Sequence, residues 1–75
     1  MKGYKTMIDE QIAQFRHNYK LALNNYQYWE RNRKNNKRKY VKEYYFAAAQ
    51  EQTYAMIAQD LGIELYDEDF KLIGE

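Results

Sequence analysis

The feature that most constrains the fold is a regular spacing of apolar side chains in the first half of the chain. From Ile8 to Trp29 these residues recur at alternating intervals of four and three. The stripe consists of Ile8, Ile12, Phe15, Tyr19, Ala22, Tyr26 and Trp29. Such intervals keep every member on one side of an α-helix, whereas in a strand they would scatter over both faces. The spacing therefore predicts one long amphipathic helix with a single stripe to bury.

We place this first helix at about residues 6–32. Thr6 and Asp9 have the spacing of a capping box, and the carboxylates of Asp9 and Glu10 suit the positive end of a helix dipole. Asparagines at positions 32, 35 and 36 then interrupt a run of bases. Because asparagine tolerates left-handed backbone and competes for local hydrogen bonds, a turn is predicted near residues 33–36.

A second helix is predicted at about residues 37–61, with Gly62 in the left-handed position and Ile63 folded back on the last turn. It has two apolar flanks. The first comprises Val41, Tyr44, Ala48, Ala55 and Ala58, and the second comprises Tyr45, Phe46, Ala49, Met56 and Ile57. One antiparallel neighbour cannot cover both flanks, so a homodimer forming a four-helix bundle is expected.

The predicted fold is therefore all-α. It is an antiparallel helical hairpin in a single domain spanning residues 1–75, with an acidic segment at residues 63–75. One continuous helix is the main alternative, because no Pro or Gly occurs between Gly3 and Gly62. The acidic segment has three possible structures: a short helix with Asp67 as its cap, an added strand, or a tail that is ordered only in a complex.

Composition narrows the fold and the chemistry. The chain has 75 residues, and a single core of that size seldom supplies more than about 3–5 kcal/mol. Without Cys it has no disulfides, and with one His it cannot form a closed zinc site. The absence of Ser and Pro, with only three Gly, argues against a sheet protein. Reinforcement is therefore expected from self-association or from docking on a larger partner.

Charge is divided between the two halves of the chain. Residues 1–42 carry eleven Lys or Arg and three acids, whereas residues 43–75 carry one base and eight acids. Six bases cluster at the predicted turn. They form what we call the basic tip: Arg31, Arg33, Lys34, Lys37, Arg38 and Lys39. The hairpin should therefore be an electric dipole with a positive tip.

Two interpretations of the basic tip are open. Lys and Arg can contact phosphate, and the neighbouring aromatic residues resemble the platforms that hold single-stranded nucleic acid. Alternatively the bases are a solvated turn that offsets helix carbonyls. No nucleic-acid-binding motif is present. The acidic segment likewise could contact the basic surface of a partner, or fold back on its own tip or on that of a dimer mate.

Catalysis is not expected. Ser and Cys nucleophiles are absent, the only histidine, His17, falls on the outward side of the first helix, and three scattered glycines make no phosphate loop. We therefore predict no catalytic residue, no cofactor and no metal. Nine tyrosines exceed what one small core can hold, so some should lie at an interface. The predicted interface residues are Tyr45, Phe46, Tyr54, Met56, Tyr66, Asp67, Glu68 and Asp69.

The leading functional hypothesis is a non-enzymatic interaction protein. The Lys-, Asn- and Tyr-rich composition is typical of AT-rich phage or mobile-element genes, which suggests a regulator or inhibitor that occupies a host protein, with that protein's nucleic-acid site as one candidate location. The alternatives are a small nucleic-acid-binding accessory protein using the basic tip and a purely structural bundle. A cytoplasmic location is expected, because no apolar run is long enough to span a membrane and the start lacks a signal-peptide pattern.

Overall fold

The computed structural model describes residues 8–74, which contain two helices, α1 (Asp9–Asn35) and α2 (Val41–Leu61). They pack antiparallel. Phe15, early in α1, contacts Tyr54, late in α2, and Tyr26, later in α1, contacts Tyr44, early in α2. The predicted all-α hairpin is confirmed, and the continuous helix is excluded.

The N-terminus of α1 differs from the prediction. The helix begins at Asp9, after an extended Ile8, and the backbone N–H of Ile8 donates to the side-chain oxygen of Gln11 at 3.1 Å. The predicted start at residue 6 was therefore early, and Thr6 itself lies outside the described residues. Ile8 is 56% exposed, so it does not belong to the buried stripe.

The turn lies further along the chain than predicted. α1 continues through Asn32, whose amide donates to the carbonyl of Tyr28 at 2.8 Å, and the chain reverses at residues 36–40. Asn36 accepts the backbone N–H groups of Arg38 and Lys39, both at 3.3 Å. The left-handed residue is Tyr40, with φ of 63°, and no asparagine takes that role. α2 therefore begins at Val41 and not at residue 37.

The end of α2 is as predicted. Gly62 has φ of 73°, and its N–H donates to the carbonyl of Gln59 at 3.2 Å, while the N–H of Ile63 donates to that of Ala58 at 2.8 Å. This pair of bonds is a Schellman motif, which satisfies carbonyls that the helix leaves unpaired.

The core lies towards the open end of the hairpin. Its buried residues are Tyr19, Ala58, Ile63 and Leu65. Partly buried residues from all parts of the fold surround them: Ile12, Phe15, Leu23, Tyr54, Ala55, Leu61 and Leu72. Nearer the turn, Ala22 and Ala47 are buried. The predicted inner face of α2 omitted Ala47, which the structure buries more deeply than the neighbouring Ala48.

The acidic segment forms a compact turn and not a helix. Tyr66 and Leu72 pair in an antiparallel bridge, and the carboxylate of Asp67 accepts the N–H groups of Asp69 and Lys71 at 2.8 and 3.0 Å. The turn packs on the open end of the hairpin, with the length of α2 between it and the basic tip. The predicted contact between the acidic segment and its own tip is therefore wrong.

Candidate interaction surfaces

The side of α2 that faces away from α1 is apolar. We call it the outward face, and it consists of Tyr45, Phe46, Ala49, Thr53, Met56 and Ile57. Its four large side chains are 41–67% exposed. The helical period explains why these side chains share one face. At 100° per residue they lie within about a third of the helix circumference, opposite the buried Ala47 and Ala58. The second apolar flank predicted from the sequence thus exists, and within residues 8–74 its large side chains remain 41–67% exposed, with Arg33 beside Tyr45 at one end.

A groove of about 410 Å³ indents this surface. It is lined by Phe46, Ala49, Gln50, Thr53, Tyr54 and Ile57. Small side chains form its floor, and the hydroxyl of Thr53 donates to the carbonyl of Ala49 at 2.8 Å. The hydroxyl of Thr53 is therefore already hydrogen-bonded. Another helix could pack closely on it without leaving a buried hydrogen-bond donor unpaired.

Opposite charges stand at the two ends of the outward face. Lys42 precedes the apolar residues and Asp60 follows them, and both are exposed. They are 18 residues apart, about five helical turns, so they project on the same side as Ala49 and Thr53. The face is thus an apolar strip with one positive and one negative end.

Two of the six bases of the basic tip pack against aromatic rings. The guanidinium carbon of Arg33 lies 4.8 Å from the ring centre of Tyr44 and 5.8 Å from that of Tyr45, and Arg33 Nε is enclosed without an acceptor among residues 8–74. The ammonium of Lys39 lies 5.1 Å from the ring centre of Tyr40. The Arg33 contacts join α1 to α2 and help to close the hairpin, whereas exposed Lys39 contacts the ring of the next residue in the chain and joins no separate parts of the fold.

The remaining bases of the tip are exposed. They are Arg31, Lys34, Lys37 and Arg38. Because they flank a turn and lie outside the core, their charges are available to an anionic surface. Such a surface could be phosphate or a cluster of carboxylates, since both attract Lys and Arg electrostatically.

The aromatic residues beside the tip mainly contact one another. Trp29 packs against Tyr28 and Tyr40, with ring centres 4.9 and 5.2 Å apart, and Tyr26 packs against Tyr44 at 5.7 Å. A base-stacking platform needs an accessible ring face. Tyr28, which is 50% exposed, is the ring here that a base could reach, while Tyr26, Trp29, Tyr40 and Tyr44 are partly buried.

The other predicted interface residues lie at the open end. Tyr54 is partly buried, with its ring 5.5 Å from that of Phe15, so only its edge along the groove can meet a partner. The Tyr66 hydroxyl points inward to Tyr19, and Asp67 is engaged in the turn. Glu68 and Asp69 are exposed there. The structure thus separates the predicted interface residues of the acidic segment from Tyr45, Phe46 and Met56 on α2, whereas Tyr54 borders the same groove as Phe46.

A polar cluster inside the hairpin joins both helices and the acidic segment. The hydroxyl of Tyr19 is 2.7 Å from the carboxylate of Glu51 and 2.8 Å from the hydroxyl of Tyr66. Burial, and next these hydrogen bonds, raise the pKa of Tyr19 far above its ordinary value. Arg16 adds a second link, because its Nε donates to the carbonyl of Glu64 at 2.8 Å. The cluster holds the acidic segment in place.

Residues 8–74 contain neither a cluster of metal ligands nor a helix that could span a membrane. In the described part of the chain, no three His, Asp or Glu side chains are arranged to hold a metal ion. Neither α1 nor α2 offers a stretch long and apolar enough to cross a bilayer. His17 is exposed on α1, as its position outside the stripe predicted.

Sequence reasoning missed three surface residues. The five-turn spacing of Lys42 and Asp60 could have identified them as a pair on one face. Phe70 is 86% exposed with φ of 61°, and no periodic pattern marks it because it lies in a turn.

Comparisons of this chain with protein-family models, with curated proteins and with solved structures gave no match.

Proposed function

We propose that this chain is a non-enzymatic interaction protein that binds another protein surface through the outward face of α2. The observation that carries the proposal is the exposure of Phe46 and Met56, at 67% and 66%, on a helix whose opposite side is already packed on α1. A helix that is apolar on most of its circumference is normally buried on all sides. Contiguous exposed apolar residues on a small protein commonly mark a binding site.

The biological setting we propose is that of a phage or mobile element, as the Lys-, Asn- and Tyr-rich composition suggests. There the protein would regulate or inhibit a host protein from within the cytoplasm. In residues 8–74 the polar cluster of Tyr19, Glu51 and Tyr66 holds the fold together, which leaves the outward face as the surface we propose for binding.

Photo-crosslinking tests the proposed docking face. A photoreactive phenylalanine analogue replaces Phe46 in one variant and Phe70, which is also exposed but lies in the acidic segment, in the matched control. We expect discrete protein adducts from position 46 in cells that carry the gene, and none of the same size from position 70. Absence of adducts at position 46, or identical adducts from both positions, would contradict the proposal.

A second function is favoured by the exposed bases of the tip. Arg31, Lys34, Lys37 and Arg38 form a positive end that would bind nucleic acid or an acidic site on the host protein. Retention on immobilised oligonucleotide at low salt, with steep loss as salt rises, would indicate nucleic acid. Retention on an acidic protein surface alone would indicate the host-protein alternative.

A further inference from the structure

We infer that the partner of the outward face is a second copy of this chain, packed α2 against α2 in antiparallel orientation. This inference rests on the proposed function, because it names the occupant of the same docking face. Three observations support it: the pattern of residues along the face, the charges at its ends, and the charge distribution of the whole hairpin.

The outward face has nearly the same pattern in both directions along α2. Around a centre near Glu51, Ala49 and Thr53 are the innermost pair, with large side chains on both sides of them. In an antiparallel pair, Phe46 would meet Ile57 of the second copy, and Tyr45 would meet Met56 of the second copy. Small residues at the crossing and large residues on either side suit close helix packing. A two-fold axis requires such self-complementarity.

The end charges select the antiparallel orientation. Lys42 and Asp60 lie nine residues on either side of Glu51, so Lys42 would stand beside Asp60 of the second copy, and the symmetric pair would form at the other end. A parallel pair would instead place lysine beside lysine and aspartate beside aspartate. Charged residues flanking an apolar helix seam commonly determine partner orientation in this way.

The charges of the whole hairpin favour the same arrangement. An antiparallel mate directs the acidic segment of one copy, with exposed Glu68 and Asp69, towards the tip end of the other. At each end of the dimer, the acidic segment of one copy then lies near the basic tip of the other. The dipoles of the two copies point in opposite directions, which is favourable. A contact between the acidic segment and its own tip, which the fold prevents, becomes possible between copies.

Charge reversal provides the test. Sedimentation equilibrium at low salt should show a dimer of the full chain. Lys42→Glu and Asp60→Lys, each alone, should weaken dimerisation at least about tenfold, because each turns two attractions into two repulsions. The variant with both substitutions should return to within about threefold of the wild-type dissociation constant. Both residues are exposed, and circular dichroism would verify that each variant keeps its helices.

Apolar substitutions test the same interface independently of charge. Phe46→Gln should give a monomer at concentrations where the wild type is dimeric, and Phe70→Gln, which removes a still more exposed ring without adding charge to the acidic segment, should leave dimerisation unchanged. The inference is overturned if the wild type stays monomeric at several hundred micromolar, or if the double charge reversal fails to restore what the single changes remove.

The two proposals fail in different ways. If the position-46 crosslinker yields only adducts with another protein and the purified chain is monomeric, the docking face stands and the second copy is excluded. If it yields only adducts twice the mass of the chain, the outward face binds the second copy, and the proposal that this face occupies a host protein fails. If it yields no adduct, both fail.

Discussion

Tyr19 shows how one side chain can connect three parts of a small fold. Its position on the apolar stripe places the ring in the core, and its hydroxyl reaches Glu51 on α2 and Tyr66 in the acidic segment. A buried hydroxyl needs such partners, because leaving it unpaired costs about 1–3 kcal/mol. The partners of Tyr19 therefore determine where the acidic segment can pack.

Replacing Tyr19 by Phe should lower the free energy of unfolding at pH 7 by about 1–2 kcal/mol, because it removes two hydrogen bonds, one of them to a carboxylate. Chemical denaturation would measure the change. Tyr28→Phe, which removes an exposed hydroxyl, is the matched control and should have no effect.

Tyr19 should also make stability fall in alkaline solution. Its pKa is raised in the folded chain, so the unfolded chain releases this proton first, at a pH near 10. The stabilisation is thus complete below about pH 10 and declines as pH rises above it. Denaturation curves between pH 8 and 11.5 should decline more steeply for the wild type than for Tyr19→Phe. Parallel declines would show that Tyr19 does not contribute.

At the scale of the helix, the two ends of α2 are formed differently. It begins after Tyr40, whose left-handed backbone is unusual for a bulky residue and whose ring is held against Trp29. It ends at Gly62, where the same conformation is normal because glycine has no Cβ. The turn at the tip depends on side-chain contacts, whereas the end of α2 depends on the backbone freedom of one glycine.

Gly62→Ala should therefore lower the free energy of unfolding by about 1 kcal/mol. A Cβ at this position would meet nothing within 4 Å, so the loss reflects backbone strain alone. Thermal unfolding should shift downward by about 4–8 °C for a domain of this size. Gly62→Asn should cost less, because asparagine tolerates left-handed backbone. Equal losses for both variants would point to another cause.

At the scale of the molecule, charge separation follows from the hairpin. The described part is 44 Å in its longest dimension, with the basic tip at one end and the acidic segment at the other. Partly buried Arg33, which packs on two rings, shares that tip with exposed cations, and the two kinds of side chain should respond differently to substitution.

Changing Lys34, Lys37 and Arg38 together to Gln should weaken binding to nucleic acid or to an acidic protein surface without lowering the melting temperature. For nucleic acid, each lost contact should reduce the slope of log affinity against log salt by about 0.7–0.9. Arg33→Gln is the contrasting variant and should lower stability by about 0.5–2 kcal/mol, because Arg33 packs on Tyr44 and Tyr45. If the triple variant kept full binding, the exposed tip would have no binding role.

Amino-acid patterns alone predicted two helical segments, the end of α2 and the second apolar flank, and favoured a hairpin over one continuous helix. Those features depend on local physics: the helical period places Phe15, Tyr19 and Ala22 on one side, and Gly62 is the residue best suited to a left-handed position. The same period placed Phe46 and Met56 together on α2, which is the basis of the candidate docking face.

The position of the turn, the identity of the buried alanine and the packing of the acidic segment could not be predicted from the sequence. Each depends on contacts between residues far apart in sequence. The turn forms where Trp29 and Arg33 can reach Tyr40 and Tyr44, and the acidic segment folds where Tyr66 can reach Tyr19. No periodicity or local propensity encodes those distances, because they are fixed only once two helices have packed.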